Sequence, residues 1–342
     1  MLNTLLILLK ILCVIGVIQA TVSYLIYIER KVCAFMQERI GPNRVGWYGL
    51  LQPLADAGKL FLKEPFVPEG ANKLLFILAP AIAVFTTTIS FAVVPFGPTN
   101  PADPAAPQFV IAPGLNIGIL YIFAISSLAV YAVILGGWAS NNKYSFLGAM
   151  RASAQLVSYE IPLGLSILGV VLIAKSLNLE DIIAAQADGV WFIFYQPVAC
   201  LLFFTSALAE CNRLPFDLPE CEQELIGGYH TEYSGMAWAM FFFGEYTHMI
   251  TVSFLTAILF FGGWDLPFIV SAESTGFLAG LLKVIVLVVK VFSLILFMMW
   301  LRWTLPRFRF DQLMNLAWKV LIPLALANLL VTAAVVQVLR SY

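Results

Sequence analysis

Eight runs of apolar residues, each long enough to cross a bilayer, constrain this sequence more than any other feature. A membrane's hydrocarbon core is about 30 Å thick, so a spanning helix needs roughly 20 mainly apolar residues. Only 11% of the 342 residues are charged, whereas soluble domains carry about 25%. The sequence therefore predicts an all-α integral membrane protein, a single polytopic domain over residues 1–342 with about eight spans. The runs lie at Leu5–Ile28, Leu74–Pro95, Leu115–Trp138, Ala154–Ala174, Val190–Ala209, Met236–Gly262, Leu278–Leu301 and Leu313–Val338.

The placement of lysine and arginine predicts the orientation of these spans. Cytoplasmic loops of membrane proteins carry an excess of both residues. If the N-terminus is outside, the cytoplasmic connections are about 29–73, 139–153, 210–235 and 302–312. These connections then hold most of the 19 basic residues, and the outside segments keep only Lys175 and Arg340. The pattern indicates an N-out, C-out chain.

The first cytoplasmic loop contains a predicted amphipathic helix over about Tyr48–Lys63. Its polar residues recur at helical spacing and its apolar residues take the opposite side, so we expect it to lie in the membrane plane. It could be a lid without a ligand, or it could line an opening for a lipid-soluble molecule. The segment Gln37–Arg44 before it combines charges with a Gly-Pro-Asn turn, which suits a polar headgroup but also a solvated loop. The polar side holds Gln52, Asp56, Lys59 and Lys63, and the apolar side Leu50, Leu54, Ala57 and Phe61.

Several ionisable residues fall inside predicted spans. A charge at a helix centre costs at least about 2.5 kcal/mol on insertion scales, so such a residue is a functional candidate. Glu160 and Glu245 lie in the inner halves of the fourth and sixth spans, and His248 shares a helix face with Glu245. Lys290 lies near mid-depth in the seventh span, and we expect a buried carboxylate or an aqueous cavity beside it. Lys283 is closer to the outer end and could snorkel to the interface.

The loop from Ala209 to Gly235 is strongly acidic and holds one basic residue, Arg213, a candidate charge partner. Carboxylates this close cannot all remain ionised at low cost, so they interact as they titrate. Together with Glu160 and Glu245 they form a candidate proton relay from the inner surface to mid-membrane. The alternative is a solvated acidic face. The acidic residues are Glu210, Asp217, Glu220, Glu222, Glu224 and Glu232.

Several kinds of site are missing from the sequence. Two histidines, one of them in a loop, cannot supply paired haem ligands, and the five cysteines have no metal-binding spacing. No GxGxxG or P-loop motif occurs. With a net charge of -1, the chain has no basic excess for nucleic acid. We therefore expect no metal and no redox centre in this chain.

The loop motifs resemble those of one known family, a membrane subunit of the proton-pumping NADH:quinone oxidoreductase, respiratory complex I, called the H subunit or NADH dehydrogenase subunit 1. The resemblance runs in order from about residue 29 to residue 320. Cys211 and Cys221 stand where small or polar residues are usual, which leaves the acidic pattern intact. The motifs are Glu29–Lys31, Gln37–Arg44, Gly49–Asp56, Lys63–Pro65, Ser158–Glu160, Ala209–Leu218, Glu220–Leu225, Gly244–Tyr246 and Pro306–Met314.

This resemblance implies a place between the hydrophilic and membrane arms of the complex, in a bacterial plasma membrane or a mitochondrial inner membrane. Ubiquinone or menaquinone would reach a tunnel between the first, sixth and seventh spans and the amphipathic helix. NADH, FMN and iron–sulfur clusters would belong to other subunits. The tunnel's polar wall would include Glu38, Arg39, Asp56 and Lys59. The chain of carboxylates leading toward antiporter-like subunits would be Glu160, Glu210, Asp217, Glu220, Glu222, Glu224 and Glu245, with Arg213 and Lys290 as possible partners.

Two other functions remain open at this point. One is the related membrane subunit of an energy-converting hydrogenase, which binds no quinone, although the full motifs in loop one and in the acidic loop favour the quinone enzyme. The other is a stand-alone proton-coupled transporter with Glu160 and Glu245 as coupling sites. Such transporters usually contain an internal repeat, and the sequence shows none.

Overall fold

The computed structural model describes residues 2–97, 110–112, 114–187, 189–217, 226–266 and 277–341. Within these ranges seven helical segments are long and apolar enough to cross a membrane. The predicted fold class, a helical membrane bundle, is therefore confirmed. The main helices are α1 (Leu2–Met36), α2 (Gln52–Leu62), α3 (Lys73–Ile89), α4 (Gly118–Ser127), α5 (Ala129–Ala139), α6 (Lys143–Ala174), α7 (Leu179–Ala187), α8 (Phe192–Tyr195), α9 (Pro197–Glu210), α10 (Gly235–Phe260), α11 (Phe277–Thr304), α12 (Phe310–Asn315) and α13 (Ile322–Ser341).

The predicted span Val190–Ala209 differs from the structure. It folds as the single turn α8 followed by α9, because the helix is interrupted at Gln196, where φ is −132°, and restarts with Pro197 in its first turn. Proline lacks an N–H and is favoured at a helix start. With 14 residues α9 rises about 21 Å, less than the roughly 30 Å of the hydrocarbon core.

Two predicted cytoplasmic loops are shorter than expected because helices extend into them. Helix α1 continues to Met36, which places Glu29 inside a helix rather than in a loop. Helix α6 begins at Lys143, where the Asn142 side chain accepts a hydrogen bond from the Tyr144 amide at 2.9 Å. Asparagine is a favoured N-cap because it satisfies such a free amide. The connection predicted at 139–153 is therefore mostly helix.

Helix α10 is the central helix of the bundle. Within its most apolar 18-residue window, 78% of the residues are buried, compared with 17% for α1. Neighbouring helices α1, α3, α9 and α11 pack around it. Polar groups on α10 are therefore kept from lipid, which is what intramembrane carboxylates require.

Helix α2 has the amphipathic character that the sequence predicts. The polar side, with Gln52 and Asp56, is half-buried against the bundle, whereas Leu54 and Phe61 are exposed. The helix contacts α1 and α10. Its apolar side is turned away from the bundle, as expected of a helix in the membrane interface.

Candidate functional site

Three carboxylates from separate helices line one cavity inside the bundle. Glu160 comes from α6, Glu210 from the end of α9 and Glu245 from α10, and His248 joins them. The cavity has a volume of about 60 Å³, enough for a few water molecules. These three predicted relay residues are therefore brought together by the fold.

Polar contacts tie the carboxylates of this acidic cavity to neighbouring groups. The Nε2 atom of His248 lies 3.4 Å from Oε1 of Glu210. The Tyr229 hydroxyl donates to Oε1 of Glu245 at 3.1 Å. Two residues after Glu160, Pro162 lies inside α6, and because proline has no N–H, the carbonyl of Ser158 loses its helical donor.

Beside the cavity lies a buried ion-pair cluster that the sequence did not predict. It consists of Glu29 on α1, Arg213, Tyr246 on α10 and Arg302 on α11. Glu29 is 4% and Arg213 9% exposed. The Arg213 guanidinium donates to both Glu29 oxygens, at 2.9 and 3.0 Å, and the Tyr246 hydroxyl donates to Glu29 at 2.7 Å. Arg302 also bonds Glu29.

Arg213 therefore pairs with a helix residue rather than with the acidic loop. Burial alone would lower the pKa of Arg213, but the adjacent Glu29 charge holds that pKa well above its usual value. The guanidinium is also stacked 4.2 Å from the centre of the Tyr246 ring, a cation–π contact. A helical period carried past Ile28 to Met36 would have placed Glu29 inside the bundle.

The first part of the acidic loop is fixed from both sides. The Gln155 side-chain amide on α6 donates to the carbonyls of Ala209 and Phe216, at 2.8 and 2.7 Å. Asp217 pairs with Arg307 at 3.0 Å. The predicted relay residues Glu220, Glu222 and Glu224 lie outside the described residues.

Among the four predicted tunnel residues, Asp56 has the most structured surroundings. It pairs with Arg30 at 2.7 Å and accepts from the Gln52 amide at 2.9 Å. Arg39 bonds the Gln37 side chain. Glu38, Arg39 and Lys59 are exposed, so the described contacts leave the four residues along one surface rather than in one cluster.

The expected surroundings of Lys290 were wrong. Its ammonium contacts backbone carbonyls, those of Phe261 at 2.7 Å and of Asp265, and lies 4.4 Å from the centre of the Trp191 ring. These groups lie at the end of α10 opposite the acidic cavity. Lys290 therefore stabilises that end of the bundle and does not neutralise a cavity carboxylate.

An apolar cleft separates the N-terminal half of α1 from α10 and α11. It has a volume of about 370 Å³, and its walls include Val17, Phe254 and Val288. These three helices are the first, sixth and seventh predicted spans. The cleft can take a hydrocarbon chain, since its lining offers almost nothing polar.

No metal site is apparent in the ranges that the structure describes: they contain no group of three or more histidine, cysteine, aspartate or glutamate side chains placed to hold an ion.

Comparison with known proteins gives matches over almost the whole chain. The sequence profile of the NADH dehydrogenase family matches residues 9–333. The first of the numbered NADH-quinone oxidoreductase H subunits of Cytophaga hutchinsonii is 49% identical over 312 residues, 91% of each chain. The second such H subunit of Geobacter metallireducens is 48% identical over 342 aligned positions, covering 96% of this chain and 95% of that protein. The H subunit of the Flavobacterium johnsoniae enzyme is 47% identical, with 95% and 93% covered.

Proposed function

Because this chain belongs to the NADH dehydrogenase family and is a subunit of NADH-quinone oxidoreductase, corresponding to the H subunit, we propose that it forms the quinone access tunnel and the acidic relay of that complex. The relay couples quinone reduction to proton translocation. Quinone is the substrate, and NADH, FMN and iron–sulfur clusters are bound by other subunits. The surrounding membrane is an energy-transducing inner membrane, and the chain runs N-out and C-out.

The acidic cavity supports the relay. Glu160, Glu210 and Glu245 come from three helices and share one small cavity, and a carboxylate inside a span is costly unless it has a function. Interacting carboxylates exchange protons as a group. A relay in this cavity would pass protons toward the neighbouring antiporter-like subunits.

The surroundings of α2 support quinone access at this face. The exposed side of α2 is apolar, and its polar side is tied to α1 by the Arg30–Asp56 pair. A quinone has an isoprenoid tail and a polar headgroup, so it needs apolar and polar surfaces side by side. The apolar cleft between α1, α10 and α11 would take the tail, and Glu38, Arg39, Asp56 and Lys59 would face the headgroup.

The observation that carries this proposal is the buried ion-pair cluster, because it joins the quinone side to the relay. Glu29 adjoins Arg30, the partner of Asp56. Tyr246, which bonds Glu29, adjoins Glu245, and Arg213 lies three residues after Glu210. A charge change at α2 would therefore reach two cavity carboxylates through groups that are in contact or adjacent in the chain.

Reduction of the quinone supplies that charge change, since two electrons and two protons are added to the headgroup. Altered charge near Arg30 and Asp56 would shift the balance of the Glu29 cluster and then the protonation of the cavity. Buried charged networks have a few discrete arrangements, which is what a switch needs. Asp217, with Glu220, Glu222 and Glu224, would extend the relay to the inner surface.

Replacement of Arg39 by alanine tests quinone access. In assembled complex, Arg39→Ala should lower quinone reduction, while NADH oxidation by ferricyanide, which is expected to bypass this subunit, should stay unchanged. Lys319→Ala, an exposed cation on the last span, is the matched control and should alter neither activity. Equal loss of both activities in Arg39→Ala would mean that Arg39 serves assembly instead.

Inhibitor titration and purification separate the alternative functions. A quinone-site inhibitor should block the complex at one site per copy, which an energy-converting hydrogenase would not show. The chain should also purify with many partner subunits, whereas a stand-alone transporter would purify alone.

A further inference from the structure

One titratable group in the acidic cavity has no place in the proposed relay of carboxylates. His248 lies on α10, one helical turn after Glu245, and its imidazole is 12% exposed. Its Nε2 atom is 3.4 Å from Oε1 of Glu210. The other histidine of the chain, His230, is in the turn Gly228–His230 and packs edge-on against Trp238.

The ionisable groups around His248 come from every side of the cavity. Glu160 faces it from α6, Glu210 and Cys211 from the end of α9, and Tyr229 from the turn before α10, while Glu245 is on its own helix. Glu160 is close enough to interact electrostatically with both Glu210 and His248. His248 is therefore within range of two carboxylates held on different helices.

Imidazole chemistry suits a group in this position. A neutral imidazole has one nitrogen that accepts a proton and one that donates, so it can take a proton on one side and release another. Two carboxylates cannot do this between themselves as readily when both are ionised, because their charges repel. The remaining walls, which include Val133, Leu156 and Phe241, are apolar and carry no proton.

We propose that His248 transfers protons between Glu210 and the pair Glu160 and Glu245, an inference that rests on the proposed relay. The Glu210 carboxylic acid gives its proton to Nε2, so an O–H bond breaks and an N–H bond forms. The imidazolium then releases a proton into the cavity, where the carboxylate of Glu160 or Glu245 takes it up. No electron moves in either step.

A purely structural histidine would act differently. It would hold Glu210 in place by hydrogen bonding, and an amide of similar reach could replace it. His248→Gln keeps a donor for Glu210 but removes the titration, so it separates the two roles. His230→Gln is the matched control, because it removes the chain's other imidazole outside the cavity.

The test uses the assembled complex in proteoliposomes, with proton pumping and quinone reduction measured across the pH range in which imidazole titrates, about pH 5 to 8. His248→Gln should assemble and keep ferricyanide activity, but coupled turnover should fall about tenfold or more. Its pH profile should lose the inflection that wild type and His230→Gln show. The smaller His248→Asn should behave as His248→Gln does.

Normal pumping with an unchanged pH profile in His248→Gln would overturn the proposal. Failure of both His248 variants to assemble would also overturn it, because the histidine would then be structural. The proposed relay has its own criterion: normal pumping in both Glu160→Gln and Glu245→Gln removes the relay itself. Loss of pumping in those two variants with normal pumping in His248→Gln removes only the histidine.

Discussion

Replacing Glu29 tests how strongly the buried ion-pair cluster stabilises the bundle. Glu29 accepts two hydrogen bonds from Arg213 and one from Tyr246, and both charged groups are more than nine-tenths buried. Glu29→Gln would leave the Arg213 charge without its counter-ion. Breaking a buried pair from one side costs about 3–5 kcal/mol, a large part of the roughly 5–15 kcal/mol that stabilises a typical protein.

We therefore expect Glu29→Gln to reduce the amount of assembled complex on native gels several-fold and to lower its inactivation temperature. The double variant Glu29→Gln, Arg213→Gln should recover part of the loss, because no uncompensated charge stays buried. Arg302 is about one-third exposed at its side chain, so it can turn toward water in either variant.

The matched control is an exposed ion pair. Arg309 and Asp311 lie 2.6 Å apart with most of their surface in solvent, and exposed pairs contribute little to stability. Asp311→Asn should therefore assemble like wild type. The reasoning fails if Glu29→Gln is as stable as Asp311→Asn, or if the losses in the double variant simply add.

Two further predictions concern the loops around the site. Cys211 is 1% exposed, and burial raises the pKa of its thiol well above the ordinary value, so it should resist N-ethylmaleimide between about pH 7 and pH 9 in native complex and react after denaturation; rapid native labelling of Cys211, read by peptide mass, would contradict this. Gly49→Ala should lower quinone reduction and increase proteolysis of the first loop, because φ is +86° and a Cβ would lie 2.3 Å from the Pro42 carbonyl oxygen, whereas Gly58→Ala, with open space around it, should have no such effect.

The sequence alone predicted the membrane bundle because hydropathy and span length are local properties. Glu160 and Glu245 could also be selected, since a carboxylate within an apolar run is conspicuous whatever the tertiary structure. That they share a cavity with Glu210 could only be an expectation before the structure, because it depends on the packing of α6, α9 and α10.

The sequence did not predict the Glu29 cluster, and the reason is physical. Charge density in Glu29–Lys31 indicates the end of a span, but α1 continues to Met36 because its charges find partners on Arg213, Arg302 and Asp56. Lys290 was misjudged for the converse reason. A buried ammonium can be satisfied by backbone carbonyls at the end of a helix, and no sequence pattern reports those.

Proton pumping by complex carrying Glu160→Gln or Glu245→Gln tests the central claim, that the acidic cavity couples quinone reduction to proton translocation. Glutamine keeps the side-chain shape and removes the titratable proton. In proteoliposomes we expect each variant to assemble, to keep ferricyanide activity, and to lose quinone turnover and pumping together, because tight coupling lets neither proceed alone. Normal pumping at normal turnover in both variants would contradict the account.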